Sequence, residues 1–358
     1  MAIAGIGNGS LAWLVTQSST LKTQLDTLSA QSVDGRRGTY YGDITGQAHR
    51  AISLRGGIAR GEAYVQVIDR ALSRTAIAQD TLKRLSSVAE TFLTEAGKVN
   101  RADPSRIGSL AENARQALGQ VASLLNAKAG DEYLFNGADT ANPPIPEPEG
   151  IMSTTMAADI AAAVAALAPG NGTAVLAGTL AAATSTLPGT TPFSDYLLGP
   201  AQGLTEPRRV TLADDGQAVP TGLFASRNAA AGTAGSEAGG WSRDLLRGLM
   251  TLANLTPAQA EAGTDFDTVM SGVTAGLKSA MTALGDEAGS LGISESRLEE
   301  AKTRHGDLGV ALKSQLSDVE EVDLAATLAA IQDTQTRLQA SWKALAMLSG
   351  LSLTQFLR

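Results

Sequence analysis

The chain contains no cysteine and few histidine or aromatic residues. Of its 358 residues, two are histidine and 4% are aromatic. Without cysteine, disulfides, thiolate catalysis and cysteine-ligated metals are all excluded. Alanine and leucine supply most of the 43% hydrophobic content. Because alanine favours helices but buries little area per residue, we expect long, thin helical packing.

Long hydrophobic runs are also missing. No stretch of about 18 or more consecutive apolar residues occurs, so the sequence predicts no transmembrane helix and no membrane partner. The first residues lack a basic segment and an A-x-A-like cleavage site. Their pattern therefore argues against a cleaved secretory signal.

Basic side chains are scarce in the middle of the chain. The net charge is −8, and residues 131–270 carry 5 basic side chains against 15 acidic ones, whereas residues 1–130 carry 15 against 10. Phosphate recognition depends on clustered lysine and arginine. We therefore expect no nucleic-acid partner.

Motifs for catalysis or metal binding are absent from the sequence. It contains no H-x-x-x-H pair, Walker loop or G-x-S-x-G. His305 lies on an apolar helical stripe, where packing is the more common role of histidine. The acidic segment 317–323 is interpreted as a solvated face or a break between two helices rather than a cation site. We predict no enzymatic activity, no cofactor and no metal.

Apolar residues at heptad spacing occur near both ends of the chain. Such a row requires a partner helix, so we predict that these residues mediate contacts between subunits. A polar residue in the row, Gln335, either helps to fix the register of the helices or simply extends its side chain to solvent. The predicted interaction residues are Leu11, Leu14, Leu21, Leu25, Leu28, Leu324, Leu328, Ile331, Gln335, Leu338, Trp342 and Leu345.

Longer rows of apolar residues with the same spacing, which we call seams, lie between the two ends of the chain. One runs from Tyr64 to Val99 and another from Leu277 to Val319. Asp103-Pro104 begins a third helix, which predicts an antiparallel hairpin of helices. Seven glycines between residues 35 and 61 predict loops and turns over that stretch.

Aromatic and turn residues are concentrated in DEYLFNGADTANPPIP, residues 131–146. We interpret Tyr133 and Phe135 as a hydrophobic plug at the end of the hairpin, and Asn136-Gly137 as the turn that follows. Residues 150–240 contain no lysine, and Asp215-Gly216 between two β-prone runs predicts a β-hairpin.

Together these patterns predict a mainly α fold of long antiparallel helices with a smaller inserted α+β domain. The predicted terminal coiled-coil domain is 1–40 with 320–358. The predicted helical rod domain is 41–140 with 270–319, and the inserted domain is 141–269. Because isolated short helices are marginal in water, we expect both termini to become ordered when subunits stack.

Three segments resemble the bacterial flagellin family. They are LLNAKAGDEYLFNGADTANPPI at 124–145, RVTLADDGQAVPTGLFAS at 209–226, and the C-terminal helices from Gln315 to Arg358. The resemblance covers about residues 10–145 and 205–358. It implies a rod-shaped structural subunit of the extracellular flagellum, exported by the flagellar type III system with an export chaperone.

The sequence departs from the filament-forming members of that family. It lacks their Q-A-N near the C-terminus and their N-terminal S-T-G with a following A-D-D-A-A segment. The resemblance therefore favours a subunit that joins hook to filament and contacts itself, hook-associated protein and flagellin. Alternatives are a filament flagellin and a surface glycan-binding protein whose insert does the binding. An inserted H-E-x-x-H protease is excluded because no histidine lies between His49 and His305.

Overall fold

The computed structural model describes residues 4–38, 40–44, 46–199, 203–229 and 237–356, with side chains from residue 12 to residue 347. The helices are α1 (Ala4–Asp34), α2 (Ala48–Lys98), α3 (Ser105–Leu125), α4 (Thr155–Ala165), α5 (Gly172–Thr184), α6 (Asp195–Leu198), α7 (Trp241–Ala253), α8 (Thr264–Glu320) and α9 (Leu324–Phe356). The strands are β1 (Lys128–Ala129), β2 (Glu132–Tyr133), β3 (Val210–Asp214) and β4 (Gln217–Pro220).

The predicted fold class is confirmed. Long helices dominate, and the strands form two small antiparallel sheets, β1 with β2 and β3 with β4. The chain divides into two compact units, Met1–Glu62 with His305–Arg358 and Ala63–Arg304. We call them the terminal unit and the central unit. The three-domain division stays a prediction.

In the terminal unit, the first turns of α2 pack against the last turns of α8. Ala51 and Leu54 form a small core with Val319. The predicted loops between residues 35 and 61 are wrong beyond Ala48, since α2 begins there. A Cβ atom on Gly57 would lie 3.2 Å from Leu312 on α8, so glycine permits close packing of two helices. This tertiary contact outweighs the low helix propensity of glycine.

In the central unit, the predicted seams of α2, α3 and α8 are confirmed. Their members are buried or half-buried, from Ile68 to Phe92 on α2 and from Leu277 to Leu298 on α8. Most of them belong to one large core that also contains side chains of α4, α5 and α7. The helical hairpin and the segment inserted after it therefore share a core.

The predicted hairpin at Asp215-Gly216 is also confirmed. β3 pairs antiparallel with β4, and Gly216 takes a positive φ of 78° between them. Ala213 and Val219 pack with Ile68 and Leu298 in a second small core. The hairpin thus lies with one face on α2 and α8.

Phe135 is the centre of the DEYLFNG stretch. Its side chain is fully buried and contacts Trp241 of α7 edge-on, with ring centroids 6.1 Å apart. Its carbonyl accepts a hydrogen bond of 2.7 Å from the amide of Ala225. Tyr133 is half-buried beneath Lys128, whose ammonium lies 4.2 Å from the ring centre. The plug interpretation is confirmed for Phe135.

Asn136 is fully buried and organises the turn that follows. Its side-chain NH₂ donates to the carbonyls of Asp139 (2.9 Å) and Asn142 (3.0 Å), and its Oδ1 accepts from Ser194 (3.2 Å). Gly137 takes a φ of 60°, which only glycine adopts without strain. The turn is therefore an internal junction between loops and not an exposed bend.

Arg243 links α7 to the end of α5. It is 3% exposed, and its guanidinium donates to the carbonyls of Ala183 (2.6 Å), Ser185 (2.9 Å) and Ser226 (2.7 Å). Burial lowers the pKa of Arg243 to about 10. The last carbonyls of α5 carry the negative end of the helix dipole, which favours a cation at this position.

We predict that Phe135→Ala destabilises the central unit by about 3–5 kcal/mol, because it leaves a cavity beside Trp241. Urea unfolding followed by tryptophan fluorescence measures the loss. Leu187→Ala is the control, since Leu187 is 67% exposed, and we expect it to change stability by less than about 0.5 kcal/mol. Equal effects of the two substitutions would contradict the role of Phe135.

Asp265, in the first turn of α8, holds the loop before α5. Its carboxylate oxygens accept hydrogen bonds from the amides of Gly170 and Gly172, each at 2.7 Å. These two bonds lower the pKa of Asp265. A Cβ atom on Gly172 would lie 2.8 Å from the carbonyl oxygen of Asp265, so the close approach requires glycine.

The lowered pKa makes the contribution of Asp265 depend on pH. It is fully present above the unfolded-state pKa of about 3.9 and is lost as pH falls through the lower folded-state value. We predict that Asp265→Asn is less stable than the unmodified chain at pH 7 and that this difference disappears in strong acid. Thermal unfolding from pH 7 downward measures it, with exposed Asp286→Asn as the control. A difference that does not change with pH would refute the prediction.

Candidate subunit interface

The two terminal helices pair with each other inside the terminal unit. Gly35, just after α1, accepts a backbone hydrogen bond from Val322, just before α9. Farther along both helices, the hydroxyls of Ser18 and Ser341 are hydrogen-bonded at 2.6 Å. These contacts define an antiparallel pair.

On α1, the predicted row faces α9. Leu14, Leu21, Leu25 and Leu28 are half-buried, and Ser18 between them is buried. Because the row alternates steps of three and four residues, it forms one narrow seam. Leu11 lies in α1, but its side chain is outside the described part of the chain.

On α9, the seam differs from the predicted one. The residues that are buried or half-buried along this helix are Thr327, Ala330, Ile331, Thr334, Leu338, Ser341, Ala344 and Leu345. Ile331, Leu338 and Leu345 were predicted. The small polar residues at seven-residue intervals, Thr327, Thr334 and Ser341, were not. Their regular spacing was the available signal, but hydroxyl residues do not stand out in a search for apolar rows.

The other predicted residues of α9 form a row that its partner α1 leaves uncovered. Leu324, Leu328 and Trp342 are 50%, 51% and 55% exposed, and Gln335 between them is exposed as well. Gln335 is therefore not a polar residue within the intramolecular seam. We call Leu328, Gln335 and Trp342 the outer row; Leu324, one heptad before Ile331, is exposed at the start of α9.

In the heptad of α9, three positions, a, d and e, carry mostly apolar or small side chains. Ile331, Leu338 and Leu345 occupy position a, with the hydroxyl residues at d. Leu328 and Trp342 of the outer row occupy e. A strict a/d stripe suits a two-helix seam, whereas an a/d/e face is typical of a helix with two neighbours. Among the described residues, the helix that packs along α9 is α1.

Further exposed apolar side chains lie toward the same end of the helix pair as Trp342. Trp13 and Val15 on α1 are 63% and 57% exposed, and Met347 on α9 is 70% exposed. The Ser18–Ser341 contact places these residues at one end, because the helices are antiparallel. Tryptophan and methionine are enriched at protein interfaces.

The acidic segment 317–323 has a structural role. Glu320 is paired with Arg55, Glu321 accepts a hydrogen bond of 2.6 Å from Ser317, and Asp323 accepts from the amides of Ala325 and Ala326 at the start of α9. α8 ends at Glu320 and α9 begins at Leu324, which confirms the interpretation as a helix break. Within the described residues, no three His, Asp or Glu side chains are grouped as metal ligands.

None of the helices in the described ranges is apolar enough over the thickness of a bilayer to be a transmembrane segment. His305 is 8% exposed and lies on the apolar stripe of α8, in agreement with a packing position.

Residues 274–357 match the family model described as the bacterial flagellin C-terminal helical region. No curated protein matches the chain. The matched segment contains α8 from Thr274 onward and the whole of α9, including the outer row. The C-terminal part of this chain is thus similar to the C-terminal helical region of bacterial flagellins.

Proposed function

We propose that the chain is a structural subunit of the bacterial flagellum that joins hook to filament, as hook-associated protein 3 does in this family. The observation that carries the proposal is the uncovered outer row of α9, which lies in the segment similar to flagellins. An exposed apolar row on a helix that already has one partner calls for a second helix.

The second helix comes from another copy of the chain. Full burial of one leucine contributes roughly 1.5–3 kcal/mol, and association must first overcome an entropy cost of about 4–15 kcal/mol. One outer row therefore provides too little energy for tight dimers. Repeated around a closed tube, many such rows stabilise a polymer cooperatively. The terminal unit then forms the assembling part of the subunit.

The junction role, as distinct from a filament role, rests on the sequence. The C-terminus reads LAMLSGLSLTQFLR in place of the Q-A-N pattern of filament flagellins. The proposal includes an extracellular position in the flagellum, type III export with a chaperone, and hook-associated protein and flagellin as neighbours. It also includes no catalytic activity.

We predict that Trp342→Ala leaves the stability of the monomer unchanged within about 0.5 kcal/mol but slows polymerisation about tenfold, the equivalent of 1.4 kcal/mol. The reason is that Trp342 is more than half exposed in the monomer and contributes little to its fold. Light scattering and pelleting measure polymer formation. Leu187→Ala is the control, because it removes an exposed apolar side chain that lies outside the terminal unit. Normal polymerisation of Trp342→Ala and Leu328→Ala would refute the role of the outer row.

Deletion of the gene separates the junction role from the filament role. For a junction subunit we predict that electron microscopy shows hooks without filaments, while flagellin appears in the culture medium. If the chain were instead the filament flagellin, its deletion would remove the filaments and leave no flagellin from this gene in the medium. Intact filaments after deletion would contradict both roles.

A further inference from the structure

A half-open cleft lies within the terminal unit, where the loop after α1 meets α2 and the end of α8. Its volume is about 270 Å³, which corresponds to roughly nine water molecules. Two arginines, two tyrosines, an isoleucine and a glutamate line it: Arg36, Arg55, Tyr40, Tyr41, Ile44 and Glu320. We call it the arginine–tyrosine cleft.

One of the two arginines is already paired. Arg55 donates from Nε and Nη2 to the two carboxylate oxygens of Glu320, at 2.9 and 2.6 Å. Its guanidinium lies 5.8 Å from the ring centre of Tyr41. Glu320 therefore neutralises Arg55, and the side chain of Tyr41 lies beside the guanidinium as a further partner.

The other arginine has no counter-ion. Arg36 is exposed, and its side chain forms no ion pair or hydrogen bond within the described ranges. Tyr40 is 76% exposed, and its hydroxyl likewise has no partner among these residues. The lining thus carries one net positive charge and several unused donors.

Hydrogen bonds hold the backbone amides of Arg37 and Tyr40. The amide of Arg37 donates to the carbonyl of Glu320 at 2.7 Å, and the amide of Tyr40 donates to Asp43 at 2.9 Å. A Cβ atom on Gly38 would lie 2.2 Å from that of Asp43, so this tight loop excludes a side chain. A fixed backbone lowers the entropy cost of binding.

We propose that the arginine–tyrosine cleft binds a carboxylate on a short aliphatic stem. Arg36 and the Tyr40 hydroxyl donate to the carboxylate, because a guanidinium group matches its geometry. Ile44 and Tyr41 provide apolar contacts for the stem. A single uncompensated charge suits a carboxylate better than a dianionic phosphate. The carboxylate belongs either to an acidic side chain of a second copy or to a free organic acid.

Binding is tested on the full-length monomer, so its outcome does not depend on the proposed function. Butyrate is titrated into protein with ¹³C-labelled tyrosine, and butyramide serves as its neutral isostere. We expect butyrate alone to shift the ring signals of Tyr40 and Tyr41 in a saturable way. Arg36→Ala and Tyr40→Phe should weaken binding about tenfold, while Arg50→Ala, an exposed arginine of α2 outside the cleft, should leave it unchanged.

Three results would overturn the proposal: no saturable shift with butyrate, an equal response to butyramide, or tighter binding of inorganic phosphate. The rate of polymerisation distinguishes the two sources of the carboxylate. If a second copy supplies it, butyrate slows polymerisation of the unmodified chain, and Arg36→Ala polymerises slowly with or without butyrate. If a free acid supplies it, neither butyrate nor Arg36→Ala changes the rate.

Discussion

The pairing of α1 with α9 is the interaction on which the proposed assembly depends. Leucines of α1 pack against a row of α9 in which every second seam position is threonine or serine. Hydroxyl residues bury less apolar area than leucine would, so the seam is modest in energy. At the same time, they leave the larger apolar residues of α9 on the adjacent face. A weak internal seam beside an uncovered apolar row suits a helix that completes its packing with a second copy.

The central unit is stabilised in a different way. Its core is continuous from the hairpin of α2 and α3 into α4, α5 and α7, and Phe135 and Asn136 link these parts through buried contacts. Arg243 connects helix ends by donating to carbonyls. Such a core needs no second chain, since its apolar residues are already enclosed. The inserted segment is therefore not a loose appendage of the helices.

Much of the helical architecture could be predicted from spacing alone. The seams of α2, α3 and α8, the hairpin at Gly216 and the break after Glu320 followed from periodicity and turn chemistry. The helix through Gly56, Gly57 and Gly61 could not be predicted, because glycine has a low helix propensity and the close contact of Gly57 with Leu312 of α8 leaves no local signal. The two-residue strands β1 and β2 are too short to leave a periodic signal.

The row of α9 that packs on α1 was predicted only in part. An apolar row on α9 was visible in the sequence, but two overlapping rows share Ile331, Leu338 and Leu345. Periodicity could not tell which row faces α1, because leucine and tryptophan dominate any search by hydrophobicity. The structure assigns the intramolecular seam to the smaller side chains. The arginine–tyrosine cleft left no sequence signal, since its residues come from three separate segments.

The central claim is that the outer row of α9 is covered by another copy on assembly. Because the chain has no cysteine, a nitroxide can be attached at one site through Gln335→Cys, in the middle of the outer row. Electron paramagnetic resonance then compares the mobility of the label in monomer and polymer. The account predicts a mobile label in the monomer and an immobilised label in the polymer. A label that is equally mobile in both states would contradict it.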